Sequence, residues 1–213
     1  MQKPHIEDIL QRLQMLQNEL EKEIENLLRE KREQFHYRLE RGKVRFEQGI
    51  KALQKRQRTG LWHYLRTTPI SHLLSAPLIY GVIIPFLFLD LMVTLYQHIC
   101  FRIYHIPLVR RSDYLILDRH HLAYLNAIER FNCIYCGYSN GLIEYVREVA
   151  ARTEQYWCPI KHALRSPDPH RLVDRFVDYG DIQTYQTKLE ELRRELATMP
   201  ASGKAAHLQS RRK

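Results

Sequence analysis

Three of the four cysteines in this chain are grouped with a histidine in a pattern that can bind a metal ion. Cys133 and Cys136 form a CxxC motif, and Cys158 is followed four residues later by His162. Zinc binds thiolate and imidazole ligands, usually four in a tetrahedron, and a shell closed by four protein ligands is a structural site rather than a catalytic one. The spacing therefore predicts a structural Zn²⁺ site with Cys133, Cys136, Cys158 and His162 as its ligands.

Two local features support this interpretation. Gly137 directly follows the CxxC motif, and glycine lets the chain turn back so that its N–H groups point at the sulfurs. Pro159 suits the first position of a helix, on which Cys158 and His162 would share one face. Two alternatives stay open for these cysteines, a redox dithiol in the CxxC motif or free buried thiols.

The run CIYCGY at residues 133–138 resembles the knuckle of rubredoxins and zinc ribbons, and Cys158-Pro159 is similar to the start of their second knuckle. That pattern places a further cysteine at position 161, where this chain has Lys161, so His162 must replace it as a ligand. The whole order of a long helix, an apolar anchor and the CxxCGY and YWCPxxH motifs resembles an uncharacterised family of small bacterial membrane proteins. The resemblance implies an architecture and a place in the bacterial inner membrane, not a reaction.

A small helical domain, expected over residues 112–198, must hold the metal ligands. Asp118 is predicted to cap a helix that ends near Phe131, and a loop then carries the CxxC motif. Further helices are predicted at about 142–153, 169–178 and 182–197. Asp181 is the predicted cap of the last one. Residues 199–213 are small, polar and basic, which predicts a disordered tail.

The apolar stretch that precedes this domain is the strongest signal in the sequence. No lysine or arginine occurs between Arg66 and Arg102, and the core from Pro77 to Tyr96 has the length that a hydrocarbon slab of about 30 Å requires. We expect residues 61–111 to form a membrane segment with interfacial flanks; a buried core helix is the alternative. Similar basic flanks leave open whether the segment crosses the bilayer or dips in and returns.

Asp90 and Pro85 complicate a plain membrane span. A mid-helix proline removes a backbone hydrogen bond and bends the helix. A carboxylate at membrane depth costs about 2.5–3.5 kcal/mol and persists only if it is protonated, paired, or facing water or protein. We expect Asp90 to lie on a helix–helix face and to pair with a polar neighbour such as Thr94 or His98. The alternative is a re-entrant or oligomeric site around this carboxylate.

The N-terminal part, residues 1–60, is predicted to be one long amphipathic helix from residue 5 to about 58. Its apolar residues alternate three and four positions apart, as in the seam of a coiled coil. The first of them are Ile6, Ile9, Leu13, Leu16 and Leu20. We expect this helix to self-associate into a homo-oligomer; lying against its own protein or the membrane is the alternative.

The formal charge of +9 favours anionic partners but does not specify a fold. Basic clusters flank the apolar segment, where lipid phosphates attract them, and no segment resembles a groove-reading helix or an aromatic RNA platform. We therefore expect a lipid bilayer and an unidentified protein as partners, and not nucleic acid. The first residues are polar and lack an apolar region, so no signal peptide is predicted.

Together these patterns predict a mainly α fold. It comprises a long amphipathic or coiled-coil helix, one membrane helix that is kinked or re-entrant, and a small zinc-stapled helical domain. The predicted function is a membrane-anchored zinc-binding scaffold or adaptor whose metal-binding domain faces the cytoplasm. Two alternatives stay open: a thiol redox module, and an enzyme that acts on a membrane-associated substrate through a re-entrant helix and a site of histidines and glutamates. The histidines are His120 and His121, which could also hold a second ion with Glu144, Glu148 or Glu154.

Overall fold

The structure is a computed structural model that describes residues 3–40, 43–47, 49–164 and 166–201. The chain is mainly helical over these ranges, which confirms the predicted fold class. Its contacts divide it into two compact units. The first comprises residues 1–64 and 118–130, and the second comprises residues 65–117 and 131–213. The apolar segment and the C-terminal segment, predicted as separate domains, thus belong to one unit.

The first unit begins with helix α1, Lys3–Gln34. The predicted single helix to residue 58 is wrong, because two residues with positive φ interrupt it. His36 has φ of 51° and ends the helix in the left-handed conformation. Gly49 has φ of 94°, which glycine adopts without a steric penalty, and it precedes the short helix α2, Ile50–Arg56.

A β-hairpin lies between these two helices. Strand β1, Tyr37–Glu40, pairs antiparallel with strand β2, Lys43–Phe46. Tyr37 lies opposite Phe46, with ring centroids 5.9 Å apart. Aromatic cross-strand pairs of this kind stabilise a hairpin, and the helical period assumed for this stretch did not account for them.

The second unit contains a long helix built from α4, Ile70–Gly81, α5, Ile83–Tyr96, and a wider π turn, Gln97–Phe101. A short helix α3, Leu61–Thr67, precedes it. Residues Ile70–Phe101 form one helix that is long and apolar enough to cross a membrane, and we call it the apolar helix. Its regular bonding is interrupted at Val82. Pro85 explains this, because it has no N–H to donate to the carbonyl one turn earlier.

Helix α6, Ala127–Trp157, is a single helix of 31 residues that begins later than predicted and continues through the expected loop. Asn126, not Asp118, caps it: Asn126 Oδ1 accepts a hydrogen bond from Glu129 N at 3.0 Å, and Glu129 Oε2 accepts one from Asn126 N at 2.8 Å. This reciprocal capping box fixes the first turn. The loop predicted around the CxxC motif is therefore wrong.

The helix continues because buried residues recur at helical spacing on one face. These residues are Gly137, Gly141, Tyr145 and Val149. Gly141 serves close packing here rather than a turn. A Cβ at Gly141 would lie 2.6 Å from the carbonyl oxygen of Tyr114, so only glycine lets this segment approach the helix. The surrounding core includes Phe101, Ile106, Val109, Leu142 and Leu196.

The C-terminal part of the second unit is partly as predicted. Helix α7, Ile182–Ala197, begins after Asp181, whose Oδ1 accepts a hydrogen bond from Thr184 N at 3.0 Å, which confirms the predicted cap. The helix predicted over 169–178 is only a 3-10 turn, Val173–Arg175. Met199, expected in the tail, packs against the core, and residues 202–213 lie outside the described residues.

Candidate functional site

The apolar helix exposes a continuous set of large apolar side chains, which we call the apolar surface. It comprises Leu74, Leu78, Ile84, Leu87, Phe88, Leu91, Leu95 and Ile99. Ile84 is 70% exposed, and Phe88 and Leu91 are each 64% exposed. Only 6% of the most apolar part of the helix is buried. This exposure argues against the alternative of a buried core helix, since such a helix would be covered on every side.

The opposite side of the helix carries a polar group that we call the Asp90 cluster: Asp90, Thr94, Arg111 and Tyr138. Arg111 donates from Nε to Asp90 Oδ1 at 2.9 Å and from Nη2 to Oδ2, a bidentate ion pair. Tyr138 Oη donates to Asp90 Oδ2 at 2.9 Å. Thr94 Oγ1 adds a longer bond of 3.4 Å to Oδ1. Asp90 therefore faces protein and is paired, as predicted, although its main partner is Arg111.

One turn further along, Gln97 joins the apolar helix to the chain that follows it. Its Oε1 accepts a hydrogen bond from Val109 N at 3.0 Å, and its Nε2 donates to Tyr145 Oη at 2.6 Å. Both Gln97 and Tyr145 are buried. A side-chain amide that bonds backbone and phenol groups in this way holds the segment around Val109 against the apolar helix and α6.

Helix α6 runs along the apolar helix in the same direction. Near its start, Tyr135 Oη donates to the carbonyl of Ile79 at 2.7 Å. Near its end, Thr153 Oγ1 lies 3.0 Å from Tyr96 Oη. The contact between Asp90 and Tyr138 falls between these two along both helices, and Gln97, next to Tyr96, bonds Tyr145. The polar groups of α6 are thus brought beside the apolar helix over most of its second half.

A second ionic group, the Glu148 cluster, lies deeper in the same unit and comprises Glu148, Arg152 and Arg171. Arg152 is fully buried and donates from Nε to Glu148 Oε1 at 2.8 Å. Arg171 donates to both carboxylate oxygens, from Nε to Oε2 at 2.9 Å. Arg152 also donates to the carbonyls of Pro107 and Pro200, at 2.8 and 3.0 Å. One guanidinium therefore ties three distant chain segments together.

The charge of Glu148 is maintained by its two arginines. Burial by itself raises the pKa of this carboxyl group, because a charge is poorly solvated in the interior. The hydrogen bonds and charges of Arg171 and Arg152 outweigh burial and hold the pKa below its ordinary value of 4.5. The cluster is a satisfied structural network rather than a base available for catalysis.

The structure does not bring the four predicted zinc ligands together. Cys133 and Cys136 lie one turn apart on α6, half-buried and exposed respectively, whereas Cys158 directly follows the end of that helix. At 1.5 Å per residue, Cys136 and Cys158 are about 33 Å apart along the helix axis. A single ion cannot contact both sulfurs, so the predicted four-ligand shell is corrected.

The second half-site also differs from the prediction. Pro159 does not begin a helix; Ile160 forms a parallel bridge with Val177, and Lys161 N donates to the Val177 carbonyl at 2.8 Å. Cys158 and His162 therefore do not share a helix face. His162 is exposed and lines a surface cleft of ≈ 450 Å³.

The other residues considered for chemistry lie in two separate groups. His120 and His121 lie side by side, with ring centroids 3.9 Å apart and planes tilted by 43°. Glu154 Oε2 lies 2.9 Å from His170 Nε2, and His170 Nδ1 accepts a hydrogen bond from Leu172 N. Among the residues that the structure describes, no group of three or more His, Cys, Asp or Glu side chains is placed to hold a metal ion.

Sequence reasoning missed Arg111, Tyr138 and Gln97 as partners in this region. The polar residues inside the apolar stretch could have predicted such partners, because a carboxylate or amide at membrane depth requires one. For Asp90 that requirement points to a cation, and Arg110 and Arg111 are basic residues that follow the segment. Which of them reaches Asp90 depends on the course of the returning chain.

In comparisons with known proteins, no family model, no curated protein and no solved structure matches this chain.

Proposed function

We propose that this protein is a membrane-anchored scaffold or adaptor. The observation that carries the proposal is the apolar surface, which leaves large side chains exposed along most of a 32-residue helix. Contiguous exposed apolar surface marks a site of contact with a membrane or a protein, and the absence of charges from Thr67 to Leu89 favours the membrane.

Helix α1 supplies the second element of the scaffold. Leu16, Leu20 and Ile24 are 62, 57 and 46% exposed, and the other faces of the helix are charged. An exposed stripe at this spacing favours a coiled coil, so we propose self-association of α1. Exposed thiols such as Cys136 are typical of a reducing compartment. They support a cytoplasmic location for the part of the second unit that contains α6.

Zinc is not part of this proposal, because the predicted ligands lie at opposite ends of α6. The histidine and glutamate site of the enzyme alternative has no support in the described part of the chain, where Glu148 and Glu154 are bonded to arginines and to His170. The Asp90 cluster is best explained as the polar contact that holds the apolar helix to α6.

Fractionation of cells that express the full chain tests the proposal. We expect the protein to sediment with membranes, to stay there in alkaline carbonate, and to be released by detergent. A variant with Leu87→Gln, Leu91→Gln and Leu95→Gln should move to the soluble fraction. The matched control, Leu16→Gln, Leu20→Gln and Ile24→Gln on α1, should stay with membranes and lose self-association. A wild-type chain recovered as a soluble species would refute the anchor.

A further inference from the structure

The side of the apolar helix that packs on α6 carries the polar residues Asp90, Thr94 and Gln97 in its second half. Tyr145 contacts Thr94 and Gln97, and these contacts show which part of α6 lies alongside residues 94–97 of the apolar helix. Glu144, exposed, and Arg147, whose side chain is 35% exposed, flank Tyr145 in sequence. α6 therefore carries these charges at the level of residues 93–97, inside the stretch whose length suggests a membrane span, and the Arg147 guanidinium bonds the carbonyls of Asp168 and Pro169.

The Asp90 cluster places a further charge beside the middle of the helix. The Arg111 side chain is 45% exposed although it is bound to Asp90, and its neighbour Arg110 is exposed as well. A guanidinium that is nearly half exposed at this level needs water or lipid phosphate around it. The hydrocarbon slab consequently cannot be centred on Asp90.

Moving the hydrocarbon slab towards the start of the apolar helix would still place charged side chains of α6 in the hydrocarbon. The segment Ile70–Leu89 is long enough for a span, but its middle, Ile79 and Tyr80, already contacts α6. Tyr80 Oη donates to Asn132 Oδ1 at 2.6 Å. α6 carries Arg130 just before this residue. A crossing by either half of the apolar helix would bring α6 and its charged residues into the hydrocarbon.

One orientation satisfies both sides of the helix. The apolar surface extends along its length, whereas the polar contacts with α6 lie on the other side. Arg66 and Arg102 are exposed near its two ends, where they can meet lipid phosphates. With one side apolar and the other covered by polar contacts, the helix is suited to lie in the plane of the membrane surface.

We propose that the apolar helix lies along the surface of an anionic bilayer, with the apolar surface among the acyl chains, and that the chain does not cross the membrane. The inference rests on the proposed membrane anchoring and specifies its geometry. The chain then contacts the bilayer from one side only, and the occupant of the apolar surface is lipid rather than a second copy of the chain.

Depth measurements test this geometry. A fluorescent amino acid is incorporated singly at Leu74, Ile84, Leu91 or Ile99 of the full chain, which is bound to vesicles of equal parts phosphatidylethanolamine and phosphatidylglycerol. Quenchers attached at different positions of the lipid acyl chains report its depth. We expect all four positions to show the same shallow depth, and a label at Glu144 to stay unquenched.

The possible outcomes separate the inference from the proposal on which it rests. A crossing helix would place Leu74 and Leu91 about 25 Å apart along the membrane normal at 1.5 Å per residue, and that result would overturn the in-plane geometry while leaving membrane anchoring intact. Unquenched labels on a vesicle-bound protein would show that another chain covers the apolar surface, which also overturns it. Failure to bind vesicles would refute the anchor itself. In cells, reporters fused to the two ends of the full chain should lie on the same side of the membrane. Reporters found on opposite sides would contradict the inference.

Discussion

The Asp90 cluster and the Glu148 cluster hold their carboxylates in different surroundings, although both lie in one unit and both pair a carboxylate with arginine. The Arg111 side chain is 45% exposed, whereas Arg152 is fully buried. An ion pair open to water contributes little to stability, while removing one partner from a buried network leaves an uncompensated charge. The comparison indicates that the Glu148 cluster maintains the fold and that the Asp90 cluster orients the apolar helix.

The largest effect is expected from Glu148→Gln. This change keeps the shape but removes the one carboxylate that binds Arg152 and Arg171 among the described residues, so we expect a loss of about 3–5 kcal/mol in the free energy of unfolding. Urea unfolding of the full chain in detergent, followed by circular dichroism, measures it. Glu144→Gln, an exposed position one turn earlier on α6, is the control and should change stability by less than about 0.5 kcal/mol. Equal effects of the two changes would contradict the proposed role of the cluster.

Acid should remove the same contribution without a mutation. The pKa of Glu148 in the folded protein is lower than the ordinary value of 4.5, so the unfolded chain takes up a proton first as the pH falls. The stabilisation is present above pH 4.5 and is lost as the pH decreases through the folded pKa. We expect the unfolding free energy to fall more steeply in this window for the wild type than for Glu148→Gln. Parallel pH profiles for the two proteins would be inconsistent with this linkage.

Gly141→Ala tests how the chain is brought back to Asp90. A Cβ at this position would lie 2.6 Å from the Tyr114 carbonyl oxygen, so the segment that carries Arg111 must shift. We expect a loss of about 1–3 kcal/mol, as for other overpacked cores, measured by the same urea unfolding. Gly81→Ala is the matched control, because a Cβ there meets nothing within 4 Å. A stable Gly141→Ala protein would show that the close approach is not needed.

A smaller effect is expected in the Asp90 cluster. Asp90→Asn removes the charge but keeps a side chain that can bond Tyr138, so we expect a loss of about 1 kcal/mol. A double-mutant cycle with Arg111→Gln isolates the coupling between the two side chains. A coupling as large as the loss in Glu148→Gln would show that the two clusters are equivalent, and would break the comparison.

The smallest effect concerns the cysteines. Cys136 and Cys158 are exposed and far apart, so we expect Cys136→Ser and Cys158→Ser each to change stability by less than about 0.5 kcal/mol, with additive effects. Zinc binding by some other set of ligands stays a prediction, which metal analysis of the purified chain tests. A shared zinc ion would instead give both variants the same large loss, which a chelator would reproduce.

The sequence determined those features that depend on composition or on a few neighbouring residues. The stretch from Pro77 to Tyr96 predicted the apolar helix, because about twenty predominantly apolar residues in a row are typical of a helix of membrane length. Asp181 and the pattern behind it fixed α7, since a cap and a helical period act within one or two turns. The need of Asp90 for a partner also followed from its surroundings, and Thr94 was correctly named as one of them.

The tertiary structure decided everything that depends on which faces meet. CxxC followed by glycine is compatible with a turn or a helix, and the packing of Gly141 against the Tyr114 carbonyl selected the helix that separates Cys136 from Cys158. The choice of Arg111 as the partner of Asp90 depended on a returning segment fixed by Gln97 and Val109. Such contacts join residues more than ten positions apart, and their free energy depends on the packed arrangement rather than on local sequence.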